Sequence, residues 1–207
     1  MNRMPVIIVG IFLTFLSSWL GLVAYPYLTL GRFTPVTDEA TGDINPPTLS
    51  GLAVRGQRVY ASAGCIYCHS QQVRQVGYGS DLERGWGARP TVARDYMREN
   101  PVFLGTMRTG PDLTNIGARQ SSAMWHHQHL YQPTVVSPGS IMPSYRYLYV
   151  TQKIQGQRSA RAIDLLPPDN APEGYEIVPS AEAEALVAYL LSLNRNYPLP
   201  EAPEPPQ

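Results

Sequence analysis

The run from Val6 to Ala24, VIIVGIFLTFLSSWLGLVA, holds nineteen residues without a charge. As an α-helix it would rise ~1.5 Å per residue to about 29 Å, which matches a bilayer core of roughly 30 Å. Trp19, Tyr25 and Tyr27 gather at its C-terminal end, where amphipathic rings favour the membrane interface. Pro26 is expected to help end the helix. A cleaved signal peptide would have a shorter apolar core and a small-x-small cleavage site, and Leu22-Val23-Ala24 is a poor one. A buried globular helix would show a polar stripe, and Thr14, Ser17 and Ser18 do not make one. The run is therefore read as an uncleaved, single-pass membrane anchor. Arg3 and the α-amino group favour a cytoplasmic N-terminus, although Arg32 beyond the span weakens the asymmetry.

The rest of the chain is low in charge, at 15% against a usual ~25%. This fits surface buried in a membrane or in partner subunits. Net charge is zero, so nothing global points to nucleic acid. Fifteen of the sixteen basic residues are arginine, suited to fixed bidentate contacts. Nine basic and five acidic residues lie between Arg55 and Arg119, against five and eight from Gln120 onward.

Residues 1–30 are assigned to the anchor, 31–49 to a linker rich in Pro, Gly, Thr and Asp, and 50–195 to one domain. A helix is expected over about 50–63 with Ser50 as N-cap, its periodic face carrying Leu52, Gly56, Val59, Tyr60 and Ala63. A second is expected over about 180–193, with Ser180 as N-cap and Leu186, Tyr189, Leu190 and Leu193 as its buried stripe. Short helices are expected near 91–99 and 121–131, and an extended loop over 133–145. Residues 71–109 show no clean period, 151–178 read as an irregular excursion, and the Pro-rich tail 196–207 as disordered. Strand signals are few, so the fold class is mostly α: one transmembrane helix and a helical domain with long loops.

Both cysteines fall in GCIYCHSQQVR, residues 64–74. Two thiols three positions apart with an imidazole directly after the second are what covalent haem c needs. The thiols add to the two vinyl groups, and the histidine, held beneath the porphyrin, binds iron. Cys65, Cys68 and His69 meet that requirement. Two other chemistries compete. Cys65 and Cys68 could join His126 and His129 in a zinc site, although the pairs lie far apart in sequence. A thioredoxin-like dithiol would sit beside a βαβ pattern, and none is visible. An anchor with its N-terminus in the cytoplasm puts the motif outside, where haem c is attached.

A sixth ligand distinguishes an electron carrier from a reactive haem. Met97, Met107, Met124, Met142, His126, His127 and His129 are the candidates. Met142 is preferred, because Pro138 and Pro143 bracket it in PGSIMPSY and can hold the sulfur in place. The three histidines are assigned to a short helix with Trp125, as packing or propionate contacts. Pro111 is the candidate to accept a hydrogen bond from the second nitrogen of His69. Arg74 and Arg108 are candidates to neutralise haem propionates.

Taken together, GQRVYASAGCIYCH, GPDL, PGSIMPSY and ALVAYLLSL resemble a class I cytochrome c, a likeness that implies first and last helices crossing near the haem, with Gly56 meeting Tyr189. With the anchor, GCIYCHSQQVR, GTMRTGPDL, WHHQHLYQP and IMPSYRYLY narrow the resemblance to the mono-haem subunit (subunit II, FixO/CcoO type) of cbb3-type haem–copper cytochrome c oxidases. Gln75 stands where many members have proline. The resemblance implies a respiratory-chain subunit of the bacterial inner membrane with a periplasmic haem domain and one covalent haem c. It would relay electrons from a soluble cytochrome c or a sister di-haem cytochrome c subunit to the catalytic haem b/copper subunit. It would not be catalytic alone. Two rivals stand: a membrane-tethered cytochrome c serving a nitric oxide reductase or a dehydrogenase, and a zinc-stabilised anchor or assembly protein.

Overall fold

The structure, a computed structural model, describes residues 3–203. Two compact units divide the chain, Met1–Val36 and Thr37–Gln207. In the first, helix α1 (Met4–Leu30) is long and apolar enough to cross a membrane, and none of its most apolar stretch is buried. Three of its hydroxyls bond back to the helix itself, Thr14 to the Gly10 carbonyl and Ser17 to that of Thr14, both at 2.9 Å, and Thr29 to that of Tyr25 at 2.8 Å. That satisfaction within the helix is what a lipid surrounding demands. Pro26 does not end the helix. A π-helical turn, Leu20–Ala24, precedes it, and the Tyr25 N–H bonds to the Leu20 carbonyl. The wider turn accommodates a ring without an N–H, and the helix stops at Gly31, whose φ is +64°. The α-amino group of Met1 lies outside the described residues.

The second unit is built on α2 (Gly51–Ser62), α3 (Ala123–Tyr131) and α4 (Ala181–Ser192). Ser50, Ser122 and Ser180 cap them, each hydroxyl accepting from the backbone N–H three residues on. Helices α2 and α4 cross at Gly56, where a Cβ would stand 1.8 Å from the Ala185 carbonyl oxygen and 2.7 Å from Cβ of Tyr189. Only glycine permits that approach. One turn on, Tyr60 meets Tyr189 edge-on at 5.4 Å and Phe103 at 5.6 Å. Leu113, Ile116, Leu130, Leu148, Leu186 and Leu190 complete the core around them. Leu52, expected on the buried face, is exposed; Ala53 takes its place.

Three segments depart from the sequence reading. The ends of the excursion form an antiparallel hairpin, β1 (Tyr149–Lys153) with β2 (Tyr175–Pro179), Tyr149 opposite Pro179. Four of the five β2 residues are buried, and the Ile163 N–H reaches back to the Ile177 carbonyl at 2.9 Å. The loop at 133–145 begins with one helical turn, Pro133–Val136, its proline at the position where a missing N–H costs nothing. The tail is packed, not free, as far as it is described. Leu199 and Ala202 are buried, and Nε of Arg89 donates to the Tyr197 carbonyl at 2.9 Å. Arg89 is itself sealed in an ion pair with Asp95 at 2.8 Å. The expected disorder of 204–207 lies outside the described residues.

Candidate haem site

Helix α2 ends ahead of Gly64, whose φ of +74° turns the chain into a 3-10 turn at Cys65–Tyr67. The His69 N–H closes on the Cys65 carbonyl at 2.9 Å. This tight loop brings Cys65 and His69 to one cleft with an almost wholly apolar lining. Tyr60 and Leu113 contribute apolar walls, with Leu186 and Leu190 from α4, and Trp125, His129 and Met142 line the same space. Cys68 is exposed. The sequence-predicted ligands His69 and Met142 thus meet at one apolar cleft, although 73 positions separate them.

Nδ1 of His69 lies 2.7 Å from the Pro111 carbonyl oxygen. A proline carbonyl can only accept, so Nδ1 carries the proton and Nε2 keeps its lone pair for a metal. Burial lowers the imidazole pKa, partly offset by the Pro111 bond and the Asp112 charge. The ring is therefore neutral near pH 7. Gly110 lets the backbone lie flat on it: a Cβ there would stand 2.3 Å from Cε1 of His69. Burial pushes the Cys65 thiol up to about 11, so it is held as S–H. An apolar cleft, an imidazole of fixed tautomer, a neutral thiol and a thioether fit haem. The zinc alternative would need His126 and His129 beside the two cysteines. Among the described residues no three His, Cys, Asp or Glu side chains gather as a metal cluster. His126 is instead bonded through Nε2 to the Gln120 carbonyl at 2.8 Å.

The other histidines have separate partners. Nδ1 of His127 meets the Tyr149 hydroxyl at 3.2 Å. His129 stacks on Trp125, ring centres 4.8 Å apart, and burial lowers its pKa to about 4. Arg74 and Arg108 do not line the cleft. Both grip Asp81: Arg74 through Nη2 at 2.9 Å and Arg108 through Nη2 at 2.8 Å. Arg108 also donates from Nε to Ser70 Oγ and from Nη2 to the Gln72 carbonyl, at 2.8 and 2.6 Å.

Two positions that sequence reasoning left unassigned, Ser70 and Gln71, organise the loop after His69. Ser70 donates to Asp112 at 2.6 Å, and the Leu113 N–H donates to the Ser70 carbonyl at 2.8 Å. Gln71 is fully buried; its amide donates to the Tyr189 hydroxyl at 3.1 Å and its carbonyl accepts from Tyr96 at 2.8 Å. The SQQ following CxxCH therefore ties the site to the helix crossing. Its clue in the sequence was polar residues directly beside a cofactor motif, a pattern without periodicity.

The family model described as cytochrome C oxidase, mono-heme subunit/FixO matches residues 36–167, more than half of the chain. It covers the CxxCH, Pro111 and Met142 and ends ahead of α4. No curated protein matches the chain.

Proposed function

The chain belongs to the FixO family of mono-haem cytochrome c oxidase subunits, and from that premise we propose that it is a fixed electron relay carrying one covalent haem c. Electrons would enter from a soluble cytochrome c or a sister di-haem subunit and leave to the catalytic haem–copper subunit. The anchor would hold the relay at the inner membrane, N-terminus in the cytoplasm and haem domain in the periplasm. Domain limits follow the same reading: anchor 1–30, linker 31–49, haem domain 50–195, tail 196–207.

The observation that carries this reading is the His69 tautomer, set by Pro111 at 2.7 Å, at an apolar cleft that Met142 shares. Haem, when bound, supplies a one-electron centre. The chain's residues provide the rest. The thiols of Cys65 and Cys68 would each add S–H across a vinyl double bond, sulfur to one carbon and hydrogen to the other, with no oxidant required. His69 would bind iron through Nε2 while Pro111 keeps the ring from turning. Met142 would supply a thioether to the iron, favouring a higher potential than a second imidazole would. With His69 and Met142 both holding it, the group would carry electrons and leave no open position for oxygen. The leucines of the cleft would keep water away from the bound group.

Mild detergent purification of the complex tests the proposal, with haem analysis and subunit identification. The expected result is one haem that resists acid–acetone extraction, a c-type α-band, and a copper-containing partner. An extractable haem, or zinc in its place, would sink the covalent reading. A copper-free partner would sink the oxidase route.

A further inference from the structure

Asp112 stands one residue from the carbonyl that fixes His69, and it is wholly buried. Every contact on its carboxylate is a donor. Ser70 Oγ and the Gln72 N–H reach Oδ2 at 2.6 and 2.8 Å, and the Thr114 N–H reaches Oδ1 at 2.8 Å. The Ser70 hydroxyl already accepts from Nε of Arg108 at 2.8 Å, so its proton points at Asp112. The carboxylate is thus held as an acceptor-only anion. Its cation, Nη2 of Arg108, stands off at 3.9 Å and is committed to Asp81 at 2.8 Å. Arg119 reaches the Asp112 backbone carbonyl and not its carboxylate.

A buried charge is costly where neutral groups could pin the same loop. Two backbone bonds already do much of the pinning, Gly110 N–H to the Cys68 carbonyl and Leu113 N–H to that of Ser70. The charge itself therefore calls for a role. Building on the haem reading above, we propose that Asp112 is a positioning residue that lowers the haem potential, by fixing Pro111 against His69 and by placing a buried negative charge next in the chain to the residue that holds the imidazole. A buried negative charge near the iron would favour its oxidised, more positive state. The Ser70–Arg108 relay moderates it by delocalising part of that charge.

The test is spectroelectrochemical titration of the c-type α-band in the detergent-purified complex, with the Met-to-iron charge-transfer band as control for ligation. Asp112→Asn removes the charge and is expected to shift the midpoint potential upward with that band retained. Ser70→Ala removes a donor from the carboxylate and leaves its charge less shared, so its shift is expected downward. Opposite signs support the proposal, because a merely structural role gives no reason for them. Unshifted potentials, or shifts of one sign, overturn it. If Asp112→Asn does not retain haem, Ser70→Ala decides alone: a downward shift supports, an unchanged or raised potential overturns. A wild-type complex without a c-type α-band would instead refute the haem reading on which this rests.

Discussion

The Pro111 carbonyl and Nδ1 of His69 meet at 2.7 Å across 42 residues of chain. The contact is possible because residue 110 is glycine, whose absent Cβ would overlap the ring at 2.3 Å. Gly110→Ala is therefore expected to keep the helical circular dichroism and to weaken the iron–imidazole bond. The sign would be a high-spin fraction in the absorption spectrum that wild type lacks. A wholly low-spin spectrum at wild-type melting temperature would show that the loop gives way instead.

Met142 is proposed as the second axial ligand. Met142→Ala should abolish the Met-to-iron charge-transfer band and lower the potential, with covalent haem content unchanged. Survival of the band would mean that another side chain holds the sixth position.

Gly56→Ala strikes backbone and not a flexible side chain, at 1.8 Å from the Ala185 oxygen. The helices must separate, at a cost of about 3 kcal/mol or more. Thermal melting should register a fall of roughly 6–12 °C. A change under ~2 °C would place the crossing elsewhere.

Arg89 and Asp95 form a sealed pair at 2.8 Å, their side chains 2% and 0% exposed, and Arg89 also holds Tyr197. Asp95→Asn leaves a buried cation unmatched and should cost about 3–5 kcal/mol in denaturant unfolding. The double change Arg89→Met, Asp95→Leu should recover much of that. It should still leave residues 196–203 open to protease, because Met cannot donate to Tyr197. A tail equally resistant in both variants would contradict the clamp.

The His129 pKa, lowered by burial from 6.5 to about 4, carries a pH dependence. Between those values the unfolded chain binds a proton that the folded chain refuses, so stability rises with pH through that window. It is complete above about 6.5 and lost as pH falls toward 4, by on the order of 2–3 kcal/mol. Denaturant titrations of wild type and His129→Gln across pH 4–7 should show the flatter profile in the variant. Parallel profiles would exclude His129 as the source.

What the sequence determined by itself lies at short range. The apolar run Val6–Ala24, the hydroxyls of Ser50 and Ser180 at helix starts, the α4 stripe and the Cys65–His69 spacing are local patterns, set by helix rise, capping and the reach of one turn. They made the mostly α class and the candidate cofactor legible before any fold was known. The tertiary structure alone decided the rest. Ser70 finds Asp112, Arg74 and Arg108 converge on Asp81, and the tail folds onto Arg89, through contacts 7 to 108 residues apart. Such pairings have no period. They are chosen by which polar groups burial strips of water, and that is known only when the core has closed. Composition made Arg74 and Arg108 plausible partners for a propionate; only the fold showed a buried carboxylate already holding both.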